Sequence, residues 1–413
     1  MKLAEVLRQL GAAPDETALW DAVSPFWETS VITLPLGPLP FLTEAFVARY
    51  YPYTGFPMEH LPTVQEVARR VEASPALRLF IWHAYQRMTH YEEHGPFGDW
   101  PSLDGCLDGK GELFYLLVAI ASMPNAETVL RQYGLPDEII ENTKRHLAKG
   151  ARVAPDFLRF SRGSLGFIRH RVFGRLVRVG RMEWLRTRYG GPVHVFSHRE
   201  TGKVCFLMAG EQLMTPCGNI VWEGIDETEG CWTTTFSANG REFVGCPVNT
   251  RAGVAEQRLV TLPRSEWVHR LSPGMPVLEM HIPGGGAMTP EVCRESFVGA
   301  VEVYRRYFPW YRFEALVCRS WILNPGLQQI LPPDANLVRL QRALHLHPVR
   351  SGPTDGLRFL YWGEEKLPES LPEGASSLQR AVYDYIKAGN RWRAAGMVLL
   401  PEEVEHVFLR PLD

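Results

Sequence analysis

The chain has 413 residues, long enough for two or three domains and a large buried core. With 45% apolar and 22% charged residues it is neither a disordered nor a fibrous chain, and a net charge of −2 argues against a general nucleic-acid binder. Its seven cysteines include no Cys-x-x-Cys pair and read as reduced, mostly buried thiols of a cytoplasmic protein.

Met1 to Leu10 reads as the start of an amphipathic helix, broken by charges where a signal peptide needs an apolar run. The longest apolar stretch, Leu113 to Met123, is about half of what a bilayer requires, so a soluble protein with no membrane span is expected. Residues 1–150 read as helix after helix. Pro35, Pro38 and Pro40 stiffen the first connection. Ser74-Pro75 opens a helix to about Glu93, Gly111 to Ser122 is strongly apolar, and Asn125 and Pro136-Asp137 open two more. Residues 151–171 form a basic joining segment, and residues 172–413 a mixed sheet with helices. Arg159, Arg162, Arg169, Arg171, Arg175, Arg178, Arg181, Arg186 and Arg188 crowd this junction and are expected to form a solvated basic face, with an anion-binding surface as the alternative. Hairpins are expected across 192–208, through Arg199 to Gly202, and across 231–248, through Asn239-Gly240.

The segment Pro276 to Ser296 carries the most chemistry. Val277 to Ile282 alternates as a strand, with Leu278, Met280 and Ile282 on one face and Glu279 and His281 on the other. Gly284, Gly285 and Gly286 then permit close approach of backbone to a ligand. Thr289 stands as an N-cap with Pro290 at the first helical position, and Cys293, Phe297, Ala300, Val301, Tyr304 and Phe308 form an apolar stripe behind it. Strand, glycine turn and open helix N-terminus are a common cradle for a phosphate, although a tight turn without a ligand has the same composition. A second strand is expected over Phe313 to Trp321, parallel to the first, followed by a helix from Gly326 to Leu331 and strands at Leu344 to Val349 and Leu357 to Trp362.

His90-Tyr-Glu-Glu-His94 fits a His-x-x-Glu-His pattern that sets two histidines on one helix face for zinc, with Glu93 as a base, which keeps a zinc hydrolase as a minor alternative. Gly95-Pro96 ends the helix at once, however, and no third ligand is evident; no metal is expected.

Four stretches recur in order: His281-Ile-Pro-Gly-Gly-Gly-Ala-Met-Thr-Pro-Glu291, Cys318-Arg-Ser-Trp-Ile-Leu323, Asn336-Leu-Val-Arg-Leu340 and Ser377-Leu-Gln-Arg-Ala381. Together with Val179-Gly-Arg-Met-Glu-Trp184 as a first core strand, they resemble the GNAT acyltransferase superfamily. The resemblance is closer to bacterial GNAT-like acyltransferases with a helical N-terminal domain. It implies an α+β fold: a helical N-terminal domain, then a GNAT-like mixed β-sheet domain flanked by helices. It implies transfer of an acyl group from acyl-CoA to a small-molecule or peptide amine in a ternary complex, with acyl-CoA as co-substrate. Ile282, Pro283, Gly284, Gly285, Gly286, Ala287, Met288 and Thr289 would bind the cofactor. His281 is the first candidate base and Glu183 the second; Ser320 and Cys318 are candidates to protonate the departing thiolate or position the amine. Two departures stand out: the superfamily turn carries Gln or Arg before two spaced glycines, and no tyrosine acid lies between Arg312 and Leu360. A binding module of degenerate GNAT fold is therefore the other reading.

Overall fold

The computed structural model of the full chain describes residues 1–12, 16–92, 97–145, 152–154, 157–361 and 366–408. They divide into two compact units, Met1–Arg178 and Val179–Asp413.

The first unit is helical, apart from the short antiparallel pair Arg152–Ala154 and Phe157–Arg159. Helix α1 (Pro75–His90) begins where expected, because the Ser74 side chain accepts a hydrogen bond from the Leu77 N–H and Pro75 needs no partner there. Helix α2 (Gly111–Ala121) is apolar on every side and buried along its length, as the centre of a bundle must be. With the following helix it spans Gly111–Gln132, long and apolar enough by length and composition to cross a membrane, yet 72% of that window is buried within the structure, the pattern of a core helix. The second unit begins at Val179, and the helix Ser164–Val172, read from sequence as part of a joining segment, sends Leu165, Ile168 and Val172 into the core of the first. Nor is the basic run a solvated face. Arg169 and Arg171 are buried, and Arg169 donates to the Tyr91 carbonyl. Of the seven cysteines, Cys246, Cys293 and Cys318 are buried, Cys106, Cys205 and Cys231 are half-buried and Cys217 is exposed; all are free.

His83 is sealed in this core. Its Nε2 donates to the Val23 carbonyl at 2.8 Å and its Nδ1 lies 2.8 Å from Ser30 Oγ. Burial, helped by the charge of Arg87, pushes it down to about 3, and burial likewise pushes His347 in the second unit down to about 4. Below a histidine's ordinary value the unfolded chain takes up protons that these folded imidazoles refuse, so stability is fully present above that value and falls with acid toward those depressed values. By pH 5 the loss is on the order of 2 kcal/mol per buried histidine. The thermal midpoint is therefore expected to fall steadily from pH 7.5 to 5, before most carboxylates protonate. A flat profile over that range would refute this burial.

Apart from the first three residues of its outermost strand, which precede Val179, the second unit is built on a six-stranded sheet: β1 (Leu176–Val179), β2 (Met182–Arg188), β3 (Pro276–His281), β4 (Ala315–Ser320), β5 (His345–Pro348) and β6 (Ala395–Leu399), in the order β5-β6-β4-β3-β2-β1. The expected first strand from Val179 to Trp184 is in fact a hairpin that turns at Gly180-Arg181, because Gly180 takes a positive φ of 58° and so accepts a tight reversal. The strand expected over Leu357 to Trp362 does not form: Leu357–Leu360 is helical, Leu357, Leu360 and Tyr361 are buried at helical spacing, and Trp362 lies outside the described residues. The sheet takes its last strand from β6 instead, inserted between β4 and β5.

Helix α3 (Pro290–Tyr307) covers one face of the sheet. Its stripe of Cys293, Phe297, Ala300, Val301 and Tyr304 is buried as expected, and Phe297 meets Trp184 edge-on at 5.8 Å. Arg186 lies on this face too, enclosed by the rings of Phe308, Trp310 and Tyr311 at 4.2, 4.8 and 5.9 Å from its guanidinium carbon. The other face is covered by the small sheets inserted between β2 and β3, which contain both expected hairpins. Val195, Phe206 and Met208 of the insert pack against Val277, Ala315, Val317 and Val398.

Candidate functional site

The site lies where β3 and β4 part. These two strands are parallel neighbours, paired at Val277–Ala315, Leu278–Leu316 and Glu279–Val317, where their mutual pairing ends. Both run on, each held from its other side: Met280 and His281 by Trp184 and Glu183 of β2, and Cys318 to Ser320 by Met397 to Ala395 of β6. Beyond Glu279 the pairing of the two facing edges does not continue among the described residues.

Period-two alternation decides which side chains attend that gap. His281 and Glu183 are direct partners in the antiparallel register and so share a face, with Glu279 two residues behind His281 on the same side. His281 Nε2 lies 3.8 Å from Glu279 Oε2, both side chains about one-third exposed, at 32% and 34%. Glu183 beside them is buried, at 3% exposure. An imidazole that can take a proton, with two carboxylates to hold a cationic partner, occupies the insert face where its apolar cover ends.

Cys318 and Ser320 are not part of this cluster. The parallel register matches Leu278 with Leu316 and Glu279 with Val317, so the even positions of β4 fall with Leu278 and Met280 on the α3 face. Cys318 is buried there, and burial pushes its thiol up. The Ser320 hydroxyl accepts the Ile322 N–H, at 3.4 Å, and caps the turn that follows. Trp321 packs beside Trp392 in an apolar cluster of its own.

The turn after β3 has the form of a cradle. Gly284 to Ala287 are exposed, whereas Pro283 and Met288 anchor the turn at either side by burial. Gly285 and Gly286 adopt φ of 79° and 72°, and a Cβ built on Gly284 or Gly285 would meet no atom within 4 Å. The open side of the turn is where a phosphate can approach the backbone. Ile282 joins this turn to the gap, so both lie on one continuous path. Thr289 caps α3 by accepting the Val292 N–H. The Glu291 carboxyl is held below its usual range by its own N–H, then by the Thr289 hydroxyl, with Arg339 adding a smaller attraction. That carboxylate competes with a phosphate for the helix dipole.

Residues 176–399 match the family described as the GNAT-like C-terminal domain. The chain belongs to that family. Its fold also resembles solved acyltransferases over 97% of the chain and 99% of theirs: one in complex with decanoyl-CoA (17% identical, TM-score 0.63) and a mutant in complex with octanoyl-CoA (18%, 0.62). A third, in complex with decanoyl-CoA and teicoplanin, is 18% identical with a TM-score of 0.60 over the same shares. No curated protein matches the sequence.

Within the GNAT-like domain, sequence reasoning missed Arg181 and Ser296. Arg181 was one cation in a run of nine. Ser296 interrupts the stripe of α3, and a hydroxyl at a buried helical position was the signal that it bonds to something specific. Of the zinc pattern, His90 ends α1 with its Nδ1 2.8 Å from Thr89 Oγ1, and Glu93 and His94 lie outside the described residues. Among the described residues no three His, Cys, Asp or Glu side chains group as metal ligands.

Proposed function

We propose that the protein moves an acyl group from acyl-CoA to a small-molecule amine by direct transfer, both substrates being bound together. The observation that carries this reading is the parting of β3 and β4 beyond Glu279 and Val317, with His281 on its rim and the glycine turn at its end. Backbone N–H groups at the end of β3 donate to the thioester oxygen, and the backbone there lies along the pantetheine arm. The turn from Pro283 to Met288 receives the pyrophosphate. On the insert face, Glu183 and Glu279 attract the protonated amine, and His281 takes its proton. The amine nitrogen then bonds to the thioester carbon, the carbon–sulfur bond breaks, and the CoA thiolate leaves to be protonated from solvent. A small-molecule acceptor is favoured by the neighbour complexed with teicoplanin, and a medium-length acyl chain by the octanoyl-CoA and decanoyl-CoA complexes.

Native mass spectrometry against acyl-CoA species from acetyl to dodecanoyl tests the first half of this reading. One acyl-CoA retained per chain is expected, with the medium chains preferred. Retention of none would remove it.

A further inference from the structure

The glycine turn brings no cation of its own to a pyrophosphate. Gly284, Gly285, Gly286, Ala287 and Met288 are uncharged, and the first charged residue of α3 is the acid Glu291. A cation arrives from elsewhere in the sheet. The point where a Cβ of Gly286 would stand is 3.5 Å from Nε of Arg181, in the turn between β1 and β2. The charge of Arg181 also reaches the buried Cys293 thiol in the first turn of α3, where it opposes the effect of burial. Arg181 therefore lies beside both the turn and the helix that follows it.

The position of Arg181 is built. Ser296, fully buried on α3, donates its hydroxyl to the Val179 carbonyl at 2.5 Å and accepts the Met182 N–H at 3.1 Å and the Trp184 indole N–H at 3.3 Å. One side chain thus grips the residue two before Arg181 and the residue just after it. Gly180 allows this grip: a Cβ there would stand 3.4 Å from the Ser296 backbone, on a φ of 58° that other residues rarely adopt. The hairpin turn is thereby fastened to α3, with Arg181 beside the glycine turn.

We propose that Arg181 supplies the positive charge for the pyrophosphate of acyl-CoA, and that Ser296 is the positioning residue that holds it there. This rests on the acyl-CoA reading and adds to it a cation from outside the glycine turn. A guanidinium presented edge-on can bond two phosphate oxygens, which a lysine cannot match.

The test compares decanoyl-CoA, decanoyl-dephospho-CoA, which lacks the 3′-phosphate, and decanoyl-pantetheine, which lacks the pyrophosphate, by isothermal titration on the full chain. Arg181→Gln should weaken the first two equally, by about 10- to 100-fold, the range for one charged hydrogen-bonding group, and leave decanoyl-pantetheine unchanged. Arg181→Lys should recover part of the loss, and the gap between wild type and Arg181→Gln should widen at low ionic strength. Ser296→Ala should show the same selectivity at smaller amplitude. Equal weakening of all three ligands in either variant would make that residue a structural support only. A loss confined to decanoyl-CoA would move Arg181 to the 3′-phosphate, and no loss at all would also overturn the proposal. If the wild type binds none of the three, the acyl-CoA reading itself fails; if it binds and Arg181→Gln binds equally, only the present inference does.

Discussion

His281→Ala is expected to lose about two to four decades of turnover while its affinity for acyl-CoA changes only a few-fold, the usual consequence of removing a general base. The geometry favours this outcome because His281 lies at the rim of the gap between β3 and β4, with Glu279 at 3.8 Å and Glu183 directly across the register. Glu183→Gln should instead raise KM for the amine, because it removes a charge that holds the acceptor and leaves the base in place. Normal turnover by His281→Ala, measured by release of free CoA thiol with any accepted amine, would transfer the base role to Glu183. Loss of acyl-CoA affinity in the same protein would make His281 a support of the turn.

Gly285→Val should cost at least about two decades of CoA affinity, since it both blocks close approach of the pyrophosphate to backbone N–H groups and strains the turn. The strain follows from φ of 79°, a conformation that a β-branched residue avoids. The variant should nevertheless fold, because the turn is exposed and a Cβ at Gly285 would meet no atom within 4 Å. Gly284→Ala separates the two causes. Gly284 has an ordinary φ and equally open space, so its loss of affinity can come only from the ligand side. Undiminished CoA affinity in folded Gly285→Val would remove the phosphate turn.

Much of the core of the second unit was legible beforehand, for local reasons. The alternation of Val277 to Ile282, the glycine run, the Thr289-Pro290 start and the stripe on α3 are patterns of neighbouring residues, and each formed as read. The failures share a different cause. Leu357 to Trp362 has the composition of a strand, but a short apolar run fits either period, and contacts with distant residues chose the helix. Strand β6, which takes the place of that expected strand in the sheet, comes from Ala395 to Leu399, a run whose partners lie far back in the chain.

The candidate site divides along the same line. Alternation within one strand places Glu279 with His281, and alternation within another places Cys318 with Ser320, from sequence alone. Whether the two pairs face each other depends on register, and a shift of one residue reverses every side chain. The pairing of Glu279 with Val317 puts Cys318 and Ser320 under α3, and the pairing of His281 with Glu183 brings in a carboxylate from nearly a hundred residues earlier. Arg181 is the extreme case: in the chain it is one arginine among nine, and only the grip of Ser296 on its hairpin sets it beside Gly286. Conformation at a glycine or a helix cap is governed by neighbours a few residues away, so it is written locally. The meeting of charges across strands is governed by hydrogen-bond register and packing over long separations, which a single strand's pattern does not encode.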